Sequence, residues 1–82
     1  MKQIKNTELL SSIREAFKKL RADKGVTQET VSNDIQNLKG VTISIGRIET
    51  GDNDLSVSTI SILCEYYGVS ISEFFGKVEA AL

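Results

Sequence analysis

The chain predicts an all-α fold: five short helices packed compactly as one small domain. Three observations predict it. Apolar residues recur at steps of three and four, the period of a buried helix face. Thr27, Ser56 and Ser70 each stand between apolar neighbours at the spacing of a capped helix start. The 82 residues contain no proline, so helix ends are left to glycines and polar clusters.

Helix 1 is predicted over about 7–24. Leu10, Ile13, Phe17 and Leu20 form its apolar face, Asn6 or Thr7 can cap its start, and Gly25 can close it. Residues 1–5 are expected to be a short arm ahead of it. Helix 2 starts after Thr27, flanked by Val26 and Val31, and is predicted over 28–35. QNLKG (36–40) has turn residues and no apolar period, so it reads as a turn. Val41, Ile45 and Ile48 restore helical steps. They predict helix 3 over about 43–50, with Thr42 as cap and Gly51 after its end. A strand at VTISI (41–45) would have no partner strand in this chain. DNDLS (52–56) is a loop. Helix 4 follows Ser56 over 57–67 and ends at Gly68. Helix 5 follows Ser70 over 71–75 or beyond, with Glu73 completing a capping box and Gly76 as its stop. The whole chain reads as one domain with its core at about 7–76.

The expected core is Leu10, Ile13, Phe17, Leu20, Val31, Ile35, Ile45, Ile48, Ile60, Leu63 and Tyr67, with Cys64 beside them as a small buried residue. Phe74 is expected to close the core through its staple with Val69. Phe74, Phe75, Val78 and Leu82 are also candidates for an apolar dimer seam.

Composition narrows the function. The chain has no histidine, which removes the commonest general base and most zinc sites. Its single cysteine excludes an internal disulfide and a thiolate metal cage. No motif positions a carboxylate pair or a nucleophile with its base, so no enzyme is expected. No metal, cofactor or small-molecule ligand is expected either. With no apolar run of about 20 residues and no secretory start, no membrane partner is expected and the predicted location is the cytoplasm.

Net charge is −1, but it is unevenly spread. Residues 1–24 carry seven bases against three acids, a balance of +4, and residues 25–82 carry three against eight, a balance of −5. This suits either a phosphate-binding face or an ordinary solvated basic helix.

The pairing of helix 2 with a short helix 3 presents a second helix in the manner that suits a major groove. On the wheel of helix 3, Ile45 and Ile48 face inward, while Ile43, Arg47 and Thr50 face outward with Gly46 at the edge. Arg47 has the chemistry to take guanine O6 and N7, and Ile43 to meet a thymine methyl. The same face also reads as a plain solvated one. Gly46 costs about 1 kcal/mol against alanine in a helix. Close approach of DNA or of helix 2 would account for it.

The runs LRADKGVTQETVSNDI (20–35), ISIGRIETG (43–51) and LSVSTISILCEYYGVSISEFF (55–75) resemble the lambda-repressor-like, XRE-type helix-turn-helix family. The resemblance covers roughly 9–75. It implies a five-helix lambda-repressor-like DNA-binding domain whose helices 2 and 3 form the helix-turn-helix. The implied function is sequence-specific transcriptional regulation, as a repressor, by a homodimer on a palindromic double-stranded operator. It places Gln28 against the DNA backbone, puts Thr42, Ile43, Ser44 and Arg47 on base-reading positions, and makes Arg21 and Glu49 a buried salt bridge.

Two features depart from the family pattern. Gln28 to Glu49 spans 21 positions, longer than usual. The extra residues are expected in the turn, where they put Lys39 near a phosphate. The loop after helix 3 carries Asp52, Asn53 and Asp54 where the family often has basic residues, which predicts weak affinity and a shallow salt dependence. The acidic balance after position 25 also leaves open a second function, a protein-interaction module on the same scaffold.

Overall fold

In the computed structural model, residues 7–51 and 55–82 are described. The arm at 1–5, the cap expected at Asn6 or the Thr7 side chain, and the acidic loop at 52–54 lie outside the described residues and side chains.

The helices are α1 (Thr7–Lys24), α2 (Gln28–Lys39), α3 (Ile45–Thr50), α4 (Val57–Tyr67) and α5 (Ile71–Ala80). The three hydroxyl starts act as the local pattern requires. Thr27, Ser56 and Ser70 each accept a hydrogen bond from the backbone N–H three residues on, at Thr30, Thr59 and Glu73. At Ser70 the expected box is half formed: among the described residues no bond returns from the Glu73 carboxylate. At α1 the Gly25 and Val26 N–H groups return to the Ala22 and Arg21 carbonyls, and at α4 the Gly68 and Val69 N–H groups return to Glu65 and Cys64.

Two helices run past their expected ends. QNLK adds a further turn to α2, and the chain leaves the helix only at Gly40, whose φ of 70° few other residues adopt at low cost. Tertiary contacts hold that turn. The Tyr66 hydroxyl of α4 donates to Asp34 at 2.6 Å, and Lys39 pairs with Glu65 of α4. Burial first, then the Asp34 bond and charge, push the Tyr66 phenol up to about 12, so it stays a donor. The residues that lengthen this region therefore lie in α2 rather than in the turn.

Gly76 does not stop α5. The helix continues because Val78, one turn beyond Phe74, is 1% exposed, and its burial outweighs the glycine.

α1 packs against α3, α4 and α5 and encloses a core of Ile13, Phe17, Val31, Ile35, Ile45, Ile48, Ile60, Leu63, Cys64, Phe74 and Val78. Phe17 and Phe74 stack with ring centroids 4.4 Å apart, joining α1 to α5. Leu20 and Tyr67 pack against the core half-buried. The inward register of α1 begins at Leu9, four residues before Ile13, in place of the expected Leu10. Burial raises the Cys64 thiol above its ordinary value, which suits an inert packing residue. Phe74 and Val78 are interior, so they cannot belong to a dimer seam; Phe75 is half-buried against the core and Leu82 is exposed.

These placements predict opposite effects from two substitutions in α5. Phe74→Ala should cost about 3–5 kcal/mol. Gly76→Ala should stabilise by about 0.5–1 kcal/mol, since nothing lies within 4 Å of the added Cβ. Urea melts of both variants check this, and a destabilised Gly76→Ala would show that α5 ends where the glycine first suggested.

Candidate nucleic-acid interface

Glu49 is the one charged residue in the described core, with a side chain only 2% exposed. A buried carboxylate requires partners. Arg21, in the last turn of α1, supplies two. Its Nε donates to Oε2 at 2.7 Å and its second terminal nitrogen donates to Oε1 at 2.9 Å. The remaining terminal nitrogen donates to the Val26 carbonyl at 3.1 Å, just before α2. Gln28, the first residue of α2, donates from Nε2 to Glu49 Oε1 at 2.9 Å. One carboxylate thus joins the end of α1, the start of α2 and the end of α3. Burial pushes the Glu49 carboxyl up, but the hydrogen bonds from Arg21 and Gln28 and the charges of Arg21 and Lys18 outweigh it. The net position is below the usual carboxylate range.

A second tie acts on the turn. The Ser32 hydroxyl donates to the Ile43 carbonyl at 2.8 Å, fixing the chain to α2 just before α3 begins. Ser32 carries no pattern in the sequence beyond its place one turn after Gln28. Its role depends on where the turn residues come back.

The outward side of α3 follows from these ties. Ile45, Ile48 and Glu49 are buried, while Arg47 and Thr50 are exposed. The Thr50 hydroxyl is occupied by the Gly46 carbonyl at 2.9 Å. Arg47 has no side-chain partner among the described residues. Thr42 and Ser44 are exposed on the approach to α3. Ser44 stands at the cap position in place of Thr42, without a side-chain cap bond. Ile43 precedes the helix, so the wheel does not govern it. It is half-buried against the core rather than facing outward with Arg47. Lys39 ends α2 about 16 Å along the axis from Gln28. There it is paired with Glu65, apart from the Arg47 group. A Cβ on Gly46 would lie 3.3 Å from Gln28 Oε1, so its nearest constraint is helix α2.

A family model described as helix-turn-helix matches residues 17–74, from the middle of α1 into α5, and includes Arg21, Gln28 and Glu49. The chain belongs to this helix-turn-helix family, of the XRE type. Comparison with curated proteins and with solved structures returned no match. The family is a DNA-binding regulatory domain rather than an enzymatic one, and its fold is the lambda-repressor-like arrangement of helices. Among the described residues, no helix is long and apolar enough to cross a membrane, and no acidic or cysteine cluster is placed to hold a metal.

The unequal exposure of the ion pair gives a prediction. Arg21→Ala leaves a buried carboxylate uncompensated and should cost about 3–5 kcal/mol. Glu49→Ala should cost less, because the Arg21 side chain is 21% exposed and can turn to water. Acid tests the same site. The folded Glu49 carboxyl lies below its unfolded value of about 4.3. Its contribution is therefore complete above that value and lost as pH falls through the lower folded one. Thermal melts from pH 7 to pH 3 should fall more steeply for wild type than for Glu49→Gln. Parallel curves would show that the carboxylate is solvated.

Proposed function

We propose that the chain is a sequence-specific transcriptional repressor that lays α3 in the major groove of a palindromic operator. The observation that supports this most directly is Arg47. It is exposed and unpaired among the described residues, on a helix whose opposite side is buried and tied at Glu49. A guanidinium held outward by a rigid helix is suited to take guanine O6 and N7 in a bidentate contact. Thr42 and Ser44, exposed just before α3, supply hydroxyls that suit base edges or phosphates. Ile43 contributes through its packing and the Ser32 bond more than through a thymine methyl. Gln28 stands at the α2 edge of the same face and has a mainly positional role. Lys39 pairs with Glu65 at the far end of α2 and is given no base-reading part.

A six-residue helix spans few base pairs, so two copies related by a two-fold axis are needed for a selective site. Of the seam candidates, Leu82 is exposed and Phe75 keeps only part of its ring accessible. The proposed setting is the cytoplasm, at the nucleoid.

Selection from a randomised duplex library tests this reading. Arg47→Ala should relax preference at one base pair per half-site, a loss of about 1–3 kcal/mol in discrimination. Gln28→Ala should weaken binding to all sequences more evenly. An unchanged motif for Arg47→Ala would favour the protein-interaction function. Footprints should show two half-sites about 34 Å apart, centre to centre. A single short protected site bearing one chain would contradict the dimer.

A further inference from the structure

Gly46 is the second residue of α3 and has an ordinary helical backbone, absent from the left-handed glycines. Backbone conformation therefore does not require glycine there. Space does. A Cβ at this position would meet Gln28 Oε1 at 3.3 Å, tighter than an ordinary contact. The same carboxamide donates from Nε2 to Glu49 Oε1 at 2.9 Å. One end of the amide is thus held by the last turn of α3 and the other lies against its first turn. Gln28 is exposed overall, yet both functional atoms of its side chain face α3.

We propose that Gln28 is a positioning residue that sets the seating of α3, and that Gly46 is kept as glycine to admit its carboxamide. This rests on the reading of α3 as the groove-reading helix and names how its placement is fixed. The amide that donates to Glu49 lies over Gly46. A methyl at position 46 displaces Oε1, strains or breaks the Nε2 bond, and shifts the face that carries Arg47. Gln28 then affects DNA binding through the angle between α2 and α3, not through a base contact.

The test is a double-substitution cycle in the full chain: Gly46→Ala, Gln28→Ala and the pair together. Three readouts apply to each: melting, the Glu49 carboxyl titration by NMR, and affinity for the duplex selected by wild type. Gly46→Ala should leave melting unchanged or raised, because alanine favours the helix, while lowering duplex affinity by about tenfold, equivalent to about 1.4 kcal/mol. In the Gln28→Ala background the same change should cost less than about twofold, or about 0.4 kcal/mol. Both single variants should raise the Glu49 titration towards the ordinary range, and the second substitution should add nothing to the first.

Equal affinity losses for Gly46→Ala in both backgrounds would overturn the proposal, since the methyl would then obstruct DNA itself. A Glu49 titration unmoved by Gly46→Ala would overturn it as well. Failure of wild type to select any duplex would overturn the reading of α3 on which it rests. That outcome is distinguishable, because the titration reads the coupling without DNA.

Discussion

The carboxylate of Glu49 is the point on which this small domain depends. An ionised group with a side chain 2% exposed is costly unless hydrogen-bonded partners meet it from fixed directions. Here they come from two other helices: Arg21 grips both oxygens from α1, and Gln28 adds a donor from α2. Replacing such a pair with apolar residues is often neutral or stabilising, so its main value is not net stability. Its value is geometric. An arrangement that moves α3 away from α1 or α2 strands a buried charge, and that penalty excludes alternative seatings of a six-residue helix. Such a helix contributes only Ile45 and Ile48 to the apolar core.

The two ends of α2 have different tasks. Its start meets Glu49 and borders the outward side of α3, while its last turns are bound to α4 through Asp34 with Tyr66 and Lys39 with Glu65. Ser32, between them, holds the carbonyl just before α3. The turn after the longer α2 is thus held to that helix, and α3 begins one residue after Ser44. Arg21 is held by the buried Glu49, and Lys39 pairs with Glu65 at the surface of α4. Arg47 is the cation on α3, so under the proposed function specificity rests on one side chain more than on a basic surface.

Much of the fold was legible in the sequence because its signals are local. The hydroxyl caps at Thr27, Ser56 and Ser70 and the apolar steps of α1 and α4 need only neighbours within one turn. The pairing of Arg21 with Glu49 was legible through the resemblance. The errors arose where packing, rather than the local pattern, sets a helix end or start. QNLK looks like a turn until Tyr66 and Glu65 of α4 are beside it. Gly76 looks like a stop until the burial of Val78 is counted. Ile43 looks outward on a wheel that, in the structure, begins two residues later. Gln28 was legible as a residue at the site but not as a donor to Glu49, because a side-chain bond across 21 positions has no periodic mark.

If Glu49 holds α3 so that its outer side reads DNA, binding should be felt where that side lies. Backbone amide chemical shifts, followed as the selected duplex is added to the labelled chain, test this most directly. The largest changes should fall on Gln28, on Thr42 through Ser44 and on Arg47, with little change at Leu38, Lys39 and Glu65 at the other end of α2. Changes concentrated at that far end, or along the α1–α5 surface around Lys19 and Lys77, would contradict the assignment of α3 as the reading helix.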